Sequence, residues 1–180
     1  MIYSYAPFLF KGDMMKKENI WLIISILLVI IWMVSVFKLS GEVSEVSGNR
    51  SGGFISSIIR FFNNDISEDK LEKLTESLQP FVRKCAHFCL YAIGGFLIYN
   101  LVNCIFKRYN NKDSYKNCIL ISIFIGVIYA ITDELHQLFV SGRSGELRDV
   151  FIDSCGIILG VIMCYAIVKF ITLKLVHNKS

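Results

Sequence analysis

Two histidines stand among a concentration of ionisable residues in an otherwise apolar chain. His87 follows Arg83 and Lys84 and precedes Tyr91. His136 lies in the run Asp133-Glu134-Leu135-His136-Gln137, and Arg143, Asp149 and Asp153 come shortly after it. Positions 84, 87 and 91 repeat at the three-to-four-residue spacing that lines one helix face, as do 133, 136 and 137, and 149 and 153. Imidazoles titrate nearest neutrality, so His87 and His136 are candidate general base and acid. Asp133, Glu134, Asp149 and Asp153 would orient them or hold a divalent cation. Arg83, Lys84, Tyr91, Gln137 and Arg143 are candidate substrate-binding residues, since arginine grips phosphate or carboxylate with two parallel hydrogen bonds. Imidazoles among carboxylates can ligate a transition metal. No recognised metal-ligand spacing is present, so the cofactor stays unassigned.

These residues must be positioned by elements of a membrane protein. The chain has 180 residues, 54% of them hydrophobic and only 19% charged, and its mean hydropathy is +0.53. That balance excludes a disordered chain and a disulfide-stapled secreted module. The net charge of +4 is too small and too scattered for a nucleic-acid footprint. A bilayer core about 30 Å thick takes roughly 20 apolar residues per helix. Residues 20–37 and 85–106 meet that length, with His87 the one ionisable residue between them. Residues 117–132 and 154–168 reach it only by taking in polar residues at one end, through Asp133–Gln137 and back to about Leu147. The expectation is an all-α, four-helix transmembrane bundle, residues 20–170, with tails at 1–19 and 171–180. Residues 1–13 read as unlike a folded element, and Met14 or Met15 is a candidate start.

Charge sorts the loops. Ten of the nineteen Lys and Arg fall on the side of the termini and nine on the other, so the raw count does not decide. Short loops carry more weight. The loop after the second span holds Lys107, Arg108, Lys112 and Lys116, whereas the loop after the third holds Arg143 and Arg148. Both termini are therefore expected in the cytoplasm and residues 38–84 outside. Within that segment LSGEVSEVSGNRSGG reads as loop and FISSIIRFF as a short amphipathic stretch at the interface. SEDKLEKLTESLQ reads as a helix capped by Ser67, and Pro80 is expected to reset the chain before the second span.

On this topology three helices carry their ionisable residues at one membrane level. A charge at membrane depth costs a few kcal/mol or more, so the set points to mutual pairing or a wet cavity. One reading is a network that holds helices in register. The other is a functional site, favoured because salt bridges alone do not need two histidines and a glutamine. Gly156 and Gly160 read as close helix packing, and the six cysteines as small apolar packing residues.

The segment RKCAHFCLYAIGGFL resembles the R-K-x-x-H-F-x-x-Y-x-x-x-G stretch of the VanZ-like family. DELHQLFVSGRSGELRDVFIDSCG resembles its D-E-x-H-Q-x-F-x-x-G-R-x-G-x-x-x-D-V-x-x-D-x-x-G block. The resemblance spans roughly residues 21–168. It implies a four-helix protein of the plasma membrane associated with low-level teicoplanin resistance, but no settled activity. Three readings follow. An enzyme would act at the outer leaflet on a lipid-linked or phosphorylated cell-envelope precursor. A non-catalytic module would hold a membrane lipid headgroup, a precursor or the lipoglycopeptide itself. A transporter is disfavoured, because no ionisable residue lies in the cytoplasmic half of any span.

Overall fold

A computed structural model describes residues 6–42, 44–109, 115–142 and 145–177. Five helices follow one another: α1 (Ala6–Ser40), α2 (Ser44–Phe62), α3 (Glu68–Arg108), α4 (Tyr115–Gln137) and α5 (Leu147–His177). There is no strand among the described residues. Four of the helices, all but α2, contain segments long and apolar enough to cross a membrane. Most of their large apolar side chains point outward, as bilayer-facing surfaces must.

Each spanning helix buries one stripe. In α1 the stripe is Ser25, Val29, Trp32, Val36 and Ser40. In α4 it is Cys118, Ser122, Gly126, Ala130 and Asp133. In α5 it runs through Asp153, Ile157, Val161 and Cys164. These steps of three and four residues follow the helical period. The polar residues at the ends of the stripes therefore face the bundle and not lipid.

Small residues set the helix separations. Lipid tails are as apolar as the helices, so association in a bilayer relies on close packing. A Cβ on Gly160 would lie 1.8 Å from the Ala92 carbonyl oxygen, and one on Gly156 would lie 2.5 Å from that of Phe88. Gly95 presses in turn on the Ile157 backbone. α3 and α5 thus touch backbone to backbone, as Gly156 and Gly160 suggested. Trp32 of α1 fills the space over Gly94, and its indole N–H donates to the Leu90 carbonyl at 2.8 Å. The Tyr129 hydroxyl of α4 donates to the Met33 carbonyl at 2.6 Å.

The structure corrects the reading of the segment between the first two spans. Most of LSGEVSEVSGNRSGG is not loop: from Ser44 on it belongs to the single helix α2 (Ser44–Phe62), leaving Gly41 and Glu42 between α1 and α2 outside helix and Val43 outside the described residues. Its Ser and Gly residues recur on one face, where they let α2 lie on α3. Gln79 Nε2 donates to the Gly48 carbonyl at 2.6 Å and to Ser51 Oγ at 3.2 Å. Tertiary packing here overrides helix propensity. Pro80 does not reset the chain either, for it sits inside the 41-residue α3. Its fixed φ suits a helix, and the one carbonyl it frees belongs to Glu76, on an exposed turn. Ser67 does occupy the N-cap position with extended backbone, but its side chain makes no capping hydrogen bond. Residues 6–13, read as unlike a folded element, belong to α1. They continue the helical backbone of the span that follows, and extending a formed helix is far easier than nucleating one.

Candidate functional site

The stripes of α3, α4 and α5 converge at one end of the bundle, where α1 also ends. α3 brings His87 and, one turn on, Tyr91. α4 brings Asp133, Glu134 and Gln137 in its last turn, and α5 brings Asp149 and Asp153 in its first two. Asp153 is fully buried, Asp133 is 2% exposed, and Glu134 and Gln137 are each 5% exposed. His87 Nδ1 lies 3.8 Å from Asp153 Oδ2. One ligand atom from each of His87, Asp133 and Asp153 lies within 4.8 Å of the other two.

The hydrogen bonds divide the carboxylates by task. Glu134 accepts from the Glu146 backbone N–H at 3.0 Å and from Gln137 Nε2 at 3.0 Å. Its Oε2 thus holds the α4–α5 connection against the end of α4, and its Oε1 is taken by Gln137 within α4. Asp149 accepts from Lys84 Nζ at 2.5 Å, and Glu146 stands 3.8 Å from the same ammonium. Asp133 Oδ2 accepts from Ser40 Oγ at 2.8 Å and from Gln137 Nε2 at 3.4 Å. By contrast, Asp133 Oδ1, both oxygens of Asp153 and the Tyr91 hydroxyl meet no hydrogen-bond partner among the described residues. Buried polar atoms normally have partners, which sets these atoms apart from the other carboxylate oxygens of the corner.

His136 is placed differently. Its ring stacks on Phe37 of α1, with centroids 4.1 Å apart and planes at 17°, and a Cβ on Gly41 would come within 3.3 Å of its Nε2. It belongs to the α1 side of α4 and not to the His87–Asp133–Asp153 group. An acid–base couple between the two histidines is therefore not what the helices assemble. The imidazole that meets carboxylates is His87. Arg143 lies outside the described residues. Ser40 was missed in the sequence, although its place one turn after Val36 on the buried stripe of α1 was the signal for it. Glu146 gained its role only from the turn of the connection.

Two cavities flank His87. One, of about 280 Å³, is polar. Arg83, Lys84, Gln137, Arg148, Asp149 and Asp153 line it together with His87. The other, of about 350 Å³, opens between the end of α1, α2 and α3, against Leu39, Phe54, Val82, Ala86 and Leu90. Arg83 and His87 line both.

A family model for VanZ/LLP1 matches residues 25–169, which takes in most of the first and fourth spans, the second and third spans, and every group of this site. The chain belongs to the VanZ/LLP1 family. No curated protein and no solved structure matches it. Within this VanZ/LLP1 membrane protein, the resembling segments quoted above supply His87, Tyr91, Asp133, Gln137 and Asp153 from separate helices, and the fold brings them to one corner. Its cysteines are all free thiols among the described residues.

Proposed function

We propose that the protein acts in the plasma membrane on a phosphate-bearing, lipid-linked component of the cell envelope, taken from the outer leaflet. The observation that carries this reading is the junction of the two cavities at Arg83 and His87. An amphiphile can lay its head in the polar cavity and its first methylenes along the apolar one. Arg83, Lys84 and Arg148 supply cationic groups for a phosphate, Arg in bidentate fashion. His87, beside Asp153, is placed to take or give a proton at the phosphate ester. The short, basic loop between α3 and α4 supports this orientation, with that loop in the cytoplasm and the site at the outer face. Low-level teicoplanin resistance is the expected phenotype, through altered handling of an envelope precursor.

A non-catalytic binder is the second reading. It is favoured by Lys84 being already matched to Asp149 and Glu146, which leaves less free charge for a transition state. Turnover separates the two. The protein reconstituted in liposomes with a polyprenyl phosphate or pyrophosphate should release inorganic phosphate, and His87→Ala should stop release while the lipid still binds. Binding without turnover in the wild type would favour the binder. Neither binding nor turnover would remove the reading.

A further inference from the structure

We infer that His87, Asp133 and Asp153 form a binding site for a divalent cation of the Zn²⁺ or Mn²⁺ type. Two of the three ligands are carboxylates buried beyond nine-tenths, one from α4 and one from α5. Three of their four oxygens lack a hydrogen-bond partner among the described residues. Among the described residues, the ion pairs of this corner bring them no lysine or arginine. Lys84 goes to Asp149 and Glu146, Arg148 approaches Glu146, and His87 is the cationic candidate that reaches Asp153 among the described residues. Two buried carboxylates side by side repel each other and give up hydration, and a bound cation removes both penalties at once.

The geometry and the chemistry of the donors agree. Ligand atoms within 4.8 Å of one another need only a small inward rotation to reach a metal at about 2.0–2.2 Å from each. Three protein ligands leave coordination positions open toward the polar cavity, which is the arrangement of a catalytic and not a structural metal. One imidazole with two carboxylates suits Zn²⁺ or Mn²⁺. Ca²⁺ and Mg²⁺ take oxygen ligands, so the imidazole in the set favours a borderline cation over them. Ser40 and Gln137 hold Asp133 from behind through its Oδ2. That is the outer support that metal-ligating carboxylates need, and it leaves Oδ1 for the cation.

The inference rests on and deepens the reading proposed above. With the cation bound, His87 would serve as its ligand, and the metal's polarising of a phosphate oxygen would replace the proton transfer assigned to His87 there. Its test is independent of any lipid. The purified full-length protein in detergent is loaded with Zn²⁺ or Mn²⁺, dialysed, and its metal measured by elemental analysis. Mn²⁺ binding is also followed by electron paramagnetic resonance. The expected result is one equivalent per chain, at least a tenfold weaker affinity in Asp153→Asn and in Asp133→Asn, and unchanged loading in His136→Gln and His177→Ala. Should the Asp variants not fold, the wild type alone decides, since a bound cation must raise its thermal midpoint and a chelator must lower it. Absence of stoichiometric metal together with an unmoved midpoint overturns the site, as does full loading of both folded Asn variants. Metal without phosphate release leaves the site standing and removes the enzymatic reading. Phosphate release that survives chelation, from a protein that takes up no metal, does the reverse.

Discussion

Replacing Gly160 by alanine tests whether α3 and α5 meet backbone to backbone, on which the whole site depends. The new Cβ would stand 1.8 Å from the Ala92 carbonyl oxygen and 2.8 Å from the Phe96 nitrogen. Real Cβ atoms keep about 3.0 Å away, so the helices must part by about 1.2 Å at that turn in an interior that packs like a crystal. Overpacking of this kind costs about 1–3 kcal/mol. Against it stands a gain of about 1 kcal/mol from putting Ala for Gly in a helix. At Gly160 both obstacles are backbone atoms that cannot swing aside, so a net loss of about 2 kcal/mol is expected. Gly95, with 2.2 Å to the Ile157 carbonyl, should cost less, and Gly156, with 2.5 Å to that of Phe88, should come out near neutral. Gly53 on α2 has nothing within 4 Å, so Gly53→Ala should stabilise by about 0.5–1 kcal/mol. For a chain of this length 1 kcal/mol moves the midpoint by about 2–4 °C. Thermal unfolding in detergent, read by thiol-reactive dye uptake at the buried Cys118 and Cys164, should rank the variants G160A, G95A, G156A, then G53A from least to most stable. Equal midpoints for G160A and G53A, or a larger loss in G156A than in G160A, would refute the argument.

Ser40→Ala removes the 2.8 Å donor to the buried Asp133 and should cost about 1–3 kcal/mol, seen as a lower midpoint in the same assay. An unchanged midpoint would show that Ser40 does not support that carboxylate. Lys84→Ala breaks pairs that are about a quarter to a half exposed, so stability should fall by no more than about 1 kcal/mol. Binding of a polyprenyl phosphate should fall at least tenfold, as measured on lipid vesicles. Trp32→Phe loses the indole hydrogen bond to the Leu90 carbonyl and should cost about 1 kcal/mol, checked by the same thermal unfolding. A variant keeping Cys85 alone should react with an impermeant maleimide added outside intact cells, because Cys85 is exposed beside Lys84. Labelling only after lysis would invert the orientation.

The four spans, and the level at which three of them carry charge, were legible in the sequence because both depend on local quantities. Apolar length decides whether a segment crosses a bilayer, and the three-to-four-residue period decides which residues share a face. Residues 85–106 and the placing of His87, Asp133 and Asp153 on inward stripes follow from those two alone. The Ser/Gly-rich stretch of α2 was misread because its small residues serve contact with Thr75 and Gln79 on another helix, and propensity carries no record of a partner. Pro80 was misread for a similar reason, since an exposed carbonyl on one turn tolerates what a buried helix would not.

Only the tertiary structure separated the two histidines. Sequence spacing places His136 and Asp133 on one face, three residues apart. A three-residue step leaves about 60° of rotation between them, and that angle turns His136 onto Phe37 of α1 while Asp133 faces His87 and Asp153. It also assigned the carboxylates, giving Glu134 to the backbone of the α4–α5 connection and Asp149 to Lys84, and leaving Asp153 without a hydrogen-bond partner among the described residues. Composition and period show which side chains face inward. Which of them meet depends on the rotation and separation of neighbouring helices, set here by Gly95, Gly156 and Gly160 where two backbones touch.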